Sequence, residues 1–132
     1  MRLLVVLAVA ALAVVAAPAA FACSCIAPGT PRADLARSDG AFVGVYLGRR
    51  RLSQNAFLYR FTVARQVKGK LPKTIGVVSG TDSASCGLQV RKGKRVALLL
   101  HRIAGRWHSN LCDQRGPNFF RGIPSRMLAS CG

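Results

Sequence analysis

Glutamate is absent from this chain, and its only carboxylate side chains are four isolated aspartates, Asp34, Asp39, Asp82 and Asp113. No two are spaced as a general acid–base pair, and no serine, histidine and aspartate stand out as a catalytic set. Histidine is nearly as scarce, with His101 and His108 alone. The two could be drawn with Cys112 as metal ligands, but the remaining ligands would have to be cysteines needed for bridges. Each histidine reads better as a surface or strand-edge residue. Internal repeats, heptads and low-complexity tracts are also missing, which excludes solenoids and coiled coils. The chain reads as a non-enzyme that needs no cofactor.

What is present in excess is positive charge. Lysine and arginine total 20, for a formal net charge of +16. Arginine outnumbers lysine 15 to 5, alongside abundant alanine, glycine and valine, a composition that points to a GC-rich genome and so to a bacterial source.

Residues 1–22 have the parts of a secretory signal peptide: Arg2, an apolar stretch from Leu3 to Ala17, then Pro18 and the small-residue ending Ala20-Phe21-Ala22. The apolar run is broken by Pro18 and lacks the ~20 residues and flanking charges of a membrane span. Phe21, two residues before the cysteine, does not suit a lipoprotein signal, in which Cys23 would be acylated and its amine blocked. The expected mature protein is one domain, residues 23–132, secreted or held in the cell envelope and touching the membrane only through its leader. Losing Arg2 takes its charge from +16 to +15 on 110 residues. All five cysteines fall in this part, so disulfides in an oxidising compartment are the default, with the pairing open.

The mature chain would then open on Cys23-Ser24-Cys25. An α-amino nitrogen and the carbonyl oxygen of the same residue can chelate a metal in a five-membered ring. A disulfide from that side chain would hold the ring still.

Further along, Thr30 as N-cap, Pro31 at the first helical position and Asp34 in the first turn predict a short helix over residues 31–37. Strands are predicted at Ala41–Leu47, Phe57–Arg65, Thr74–Ser79, Arg95–Leu100 and Arg106–Leu111. In the second, Phe57, Tyr59, Phe61 and Val63 alternate with Arg60 and Thr62, the mark of one wet face. Residues 48–55 read as a polar loop, and the tail from Pro117 as a short packed helix. Five short strands with flanking helices indicate an all-β antiparallel barrel or sandwich.

In order and in local text the chain resembles the tissue inhibitors of metalloproteinases, within the netrin-like group, as a bacterial-type single-domain member. The resemblance rests on Cys23-Ser24-Cys25-Ile26-Ala27-Pro28, the helix ending Ser38-Asp39, Ala41-Phe42-Val43-Gly44, Tyr59 to Lys68-Gly69, Ser85-Cys86-Gly87 and Trp107 to Leu111-Cys112. It implies a five-stranded OB-fold Greek-key barrel and disulfides Cys23–Cys86 and Cys25–Cys112. Each bridge closes a loop of more than sixty residues, which stabilises by about 4 to 5 kcal/mol in the chain-entropy account. It also implies an inhibitor of zinc metalloproteases. Cys23 would chelate the protease's zinc through its main-chain N and O, Ser24 would enter the specificity pocket, and Cys25, Ser85 and Cys86 would lie in the contact ridge. The chain departs from the pattern in its helix, where Ala36 replaces a third cysteine, which leaves Cys131 without its counterpart.

The alternative is a non-inhibitory netrin-like binding module. Arg49, Arg50 and Arg51, with Lys92, Lys94 and Arg95, would fall mostly on turns and form a patch for an anionic glycan or cell-wall polymer. Export and the lack of stacking aromatics argue against nucleic acid.

Overall fold

The computed structural model describes residues 23–125. The expected leader lies outside them, as do Met127, Leu128 and Cys131.

Helix α1 (Pro31–Ala36) begins where the local signals place it. Thr30 is extended, its hydroxyl accepts from the Ala33 N–H at 3.2 Å, and Pro31 follows. Six residues do not hold a helix in water by themselves. Tertiary contacts supply the rest. Asp34, 1% exposed, accepts from Arg115 Nη2 at 2.9 Å, and Lys68 donates to the carbonyls of Leu35 and Ser38 at 2.7 and 2.6 Å, capping the C-terminal end.

The rest is mostly β-sheet: β1 (Gly40–Ser53), β2 (Ala56–Lys68), β3 (Thr74–Gly80), β4 (Arg95–Ile103), β5 (Arg106–His108) and β6 (Gln114–Arg115). β1 pairs antiparallel with β2 on one side and β4 on the other, β2 pairs with β3, and β4 also pairs with β5 and β6. One contact departs from the antiparallel expectation, since β3 meets β5 in parallel at Val78 and His108.

β1 bends as it goes. Its register against β2 shifts at Val43/Gly44, and a Cβ on Gly44 would overlap the Thr62 carbonyl and the Phe42 ring, so only glycine fits there. One face of the sheet packs Phe42, Tyr46, Tyr59, Phe61, Ile75, Val77 and Leu98 into the main core. The alternate residues Ala41, Val43, Val67, Ala97 and Leu99 form a second cluster under Phe120. Being covered on both sides explains why AFVGVYL and RVALLL are unbroken apolar runs rather than alternating ones.

Three expectations need correction. Residues 48–53 are strand, not loop: β1 runs through Ser53 and turns at Gln54–Asn55, because Arg49 and Arg51 pair across from Tyr59 and Phe57. The last long strand is shorter than expected, as β5 stops at His108 and a 3-10 turn (Leu111–Asp113) follows, with the Asn110 side chain accepting from the Cys112 N–H at 2.8 Å. The described tail is a series of turns, bonded Phe119 N–H to Gly116 O, Arg121 N–H to Asn118 O and Ile123 N–H to Phe120 O. Gly116, Pro117, Gly122 and Pro124 break helical continuity there, and the fully buried Phe120 anchors the segment, contributing roughly 2 to 3 kcal/mol of burial. Arg65 ties it down by donating to the Phe120 carbonyl at 3.0 Å and to the Ile123 carbonyl. No helix among the described residues is long and apolar enough to cross a membrane.

Candidate functional site

Residues 23–30 have no regular secondary structure and lie on the surface, with Ser24, Cys25, Ala27 and Pro28 exposed and Ile26 91% exposed. Two disulfides fasten this segment, Cys23–Cys86 and Cys25–Cys112, the pairing that the resemblance implies and one suited to an oxidising compartment. The bridges lie against each other, with Cys23 Sγ 3.7 Å from Cys112 Sγ. The Cys86 carbonyl accepts from the Leu111 N–H at 2.9 Å, so the two anchoring segments are also joined to one another.

The loop that carries Ser85 and Cys86 is bonded to itself. Asp82 Oδ1 accepts from the Ser85 N–H at 2.9 Å and its hydroxyl at 3.0 Å, while the Asp82 N–H donates back to Ser85 Oγ at 3.2 Å. Those bonds, the backbone N–H of Ser85 first, hold the Asp82 carboxyl below its ordinary pKa. Cys86 has φ +56°, a left-handed conformation that a non-glycine residue adopts at a cost of about 1 kcal/mol or more. Gly80 lies beneath, where a Cβ would overlap the Ser85 hydroxyl and carbonyl.

Behind the segment is a strut that local sequence signals miss. Arg115, at the end of β6, donates to the Cys112 carbonyl at 2.6 Å and through Nε and Nη2 to Asp34 Oδ2 at 3.2 and 2.9 Å. Arg37 Nη2 reaches the other oxygen at 2.6 Å. Burial pushes the Asp34 pKa up, but the bonds from Arg115 and Arg37 outweigh it, leaving the carboxyl below its ordinary value of 3.8. Between this strut and residues 24–27 lies a cleft of about 340 Å³, whose wall includes His101 and Asp113, with His101 Nε2 3.2 Å from Asp113 Oδ2.

The sulfurs of Cys23, Cys25 and Cys112 lie within 4.8 Å of one another, yet all three belong to disulfides and offer no thiolate to a metal. The same bridge removes Cys112 from the set with His101 and His108, which sit opposite each other on β4 and β5. Burial, and then Arg106 nearby, lower the His108 pKa below 6.5.

The basic residues are arranged differently from the expected turn patch. Arg49 and Arg51 lie on a strand with their guanidinium carbons 4.1 and 4.8 Å from the Phe57 ring centre, and Arg49 Nη1 donates to the Tyr59 hydroxyl at 3.2 Å. Arg50 falls between them in the strand alternation, on the opposite face. The turn carrying Lys92 and Lys94 is joined to β1, with the Gly93 N–H donating to Tyr46 O at 2.9 Å, and Arg95 opens β4 opposite Val45. No protein-family model matches the chain, and no curated protein matches it.

Proposed function

We propose that this protein is a secreted inhibitor of zinc metalloendopeptidases, a single-domain relative of the tissue inhibitors of metalloproteinases built on a five-stranded OB-type barrel. The cycle of pairings β1-β2-β3-β5-β4 and back to β1 supports the barrel, with the single β3–β5 bridge as its narrowest seam. The observation that carries the functional reading is the surface segment Cys23-Ser24-Cys25, with Cys23 half-buried and Ser24 and Cys25 exposed, fastened by two adjacent disulfides beside the self-bonded Ser85–Cys86 loop.

A catalytic zinc in a protease keeps one position for water. The Cys23 amine, once freed by removal of the leader, has an ordinary pKa of about 7.7 to 8.0, and the zinc drives its deprotonation on binding. Amine and carbonyl together displace the water. Ser24 enters the specificity pocket while Cys25, Ser85 and Cys86 meet the cleft rim. Because the bridges fix the segment beforehand, little ordering entropy opposes docking.

The test is a panel of secreted zinc endopeptidases assayed with the processed protein and with a form carrying one extra residue before Cys23. The processed form alone should inhibit. Equal inhibition by both forms rules out chelation by Cys23, and no inhibition by either makes the netrin-like binding module the better account. Ser24→Gly should change which proteases respond while leaving both bridges intact.

A further inference from the structure

A second site lies outside the Cys23–Cys25 segment. Between the 89–96 stretch and the 111–117 stretch is a cleft of about 390 Å³, within the ~300–1,000 Å³ range of small-ligand sites. Arg91, Lys94 and Arg95 stand along its lining, with the Asp34-paired Arg115 and an apolar floor of Val90, Val96 and Leu111. Its two sides are locked together, since the Gln89 N–H donates to Gln114 Oε1 at 3.0 Å and Gln114 Nε2 donates to the Gln89 carbonyl at 2.7 Å.

Among the described residues no carboxylate lines this cleft; its fourth cation, Arg115, is already paired with Asp34, and the other three aspartates are bonded elsewhere. Asp34 holds Arg115 and Arg37, Asp39 accepts from the Arg102 N–H, Asp82 binds Ser85 and Asp113 faces His101. Three neighbouring cations without a counter-charge repel one another, a cost that a bound anion removes. Positive charge also continues beyond the cleft. The Lys94 carbonyl accepts from the Tyr46 N–H, which joins the turn to β1 and its stacked Arg49 and Arg51.

The geometry points to a binding site for an anionic polysaccharide. Its sulfate or carboxylate groups pair with Arg91, Lys94 and Arg95, a sugar ring lies on the apolar floor, and the polymer runs on toward the β1 arginines. Among the described residues no aromatic ring lines the cleft, which disfavours stacked bases of single-stranded nucleic acid. A concave site fits a chain passing through better than a flat layer of lipid headgroups.

The full processed protein should be titrated with dextran sulfate and with polygalacturonate, which separate the sulfate and carboxylate sources, and with neutral dextran as control. Arg91→Gln, Lys94→Gln and Arg95→Gln together should weaken binding of at least one anionic polymer by about tenfold. The equally charged set Arg32→Gln, Lys73→Gln and Arg106→Gln, away from the cleft, should weaken it by no more than about twofold. Equal losses from the two sets would reduce the binding to net charge and overturn the site, as would no binding or equal binding of neutral dextran. Duplex DNA bound as tightly through the same three residues would overturn the assignment to a polysaccharide. On the unaltered protein, the polymer should protect Lys94 from acetylation more than Lys73, and equal protection contradicts the proposal.

Discussion

Replacing Arg115 with methionine tests how helix α1 and the Cys112 segment are held together. The substitution leaves the Asp34 carboxylate, whose side chain is fully inaccessible, with Arg37 as its remaining cation, and Arg37 is 70% exposed. Removing one partner of a buried pair costs about 3 to 5 kcal/mol, and the surviving Arg37 bond places this case near the lower end. With a urea dependence of about 1 to 3 kcal/mol/M, the midpoint should fall by roughly 1 to 3 M in the disulfide-intact protein. The loss should also depend on pH. In the native protein Asp34 titrates below 3.8, so its contribution is complete above that value and disappears as pH falls through the lower folded value. Without Arg115, burial is opposed only by the Arg37 bond and the Gly29 N–H, so the folded carboxyl binds its proton more tightly than in the native protein, and the gap between variant and native protein should narrow as pH falls through the variant's folded value toward the lower native one. Asp34→Leu added to Arg115→Met should recover much of the stability, since a packed apolar pair replaces the broken ion pair. A loss below about 1 kcal/mol, or one that stays constant with pH, would refute the strut.

Lys68→Met strips the charged donor from the Leu35 and Ser38 carbonyls and should cost about 2 kcal/mol, with faster amide exchange at Arg37 and Ser38 as the local sign. Gly80→Ala should displace the Ser85–Cys86 loop and destabilise by about 1 to 3 kcal/mol, read by chemical denaturation and by shifts of the Ser85 and Cys86 resonances. His108 has its folded pKa depressed, so its contribution is present above pH 6.5 and declines as pH falls below it. His108→Gln should therefore flatten the loss of stability between neutral and mildly acidic pH.

Local signals sufficed where local chemistry decides. Thr30 and Pro31 announce α1, and the alternation from Phe57 to Val63 announces β2 with its wet face. They failed where the deciding partner is distant. Arg49-Arg50-Arg51 after a glycine looks like a loop, and it is strand because Phe57 and Tyr59 stand opposite in the hairpin. Asp34 looks like an isolated first-turn acid, while its main cation is Arg115, 81 residues away. Lys68 looks like a turn lysine and is a helix cap. The tail aromatics suggested helix, but proline and glycine spacing denies it and leaves Phe120 as an anchor reached through turns. In the candidate site, the Cys-Ser-Cys opening and the Ser85–Cys86 pair were legible. The bonds that brace them, from Asp82 and Arg115, have no signature in the local text.

In the proposed mode of inhibition, the Cys23 amine and carbonyl bind the metal of a target protease. The most direct measurement is the visible absorption spectrum of a cobalt-substituted zinc endopeptidase titrated with the processed protein. One equivalent should change the cobalt bands as nitrogen and oxygen replace the bound water, and the same protein acetylated at its α-amine should leave them unchanged. Inhibition by the processed protein with an unaltered cobalt spectrum would contradict the account.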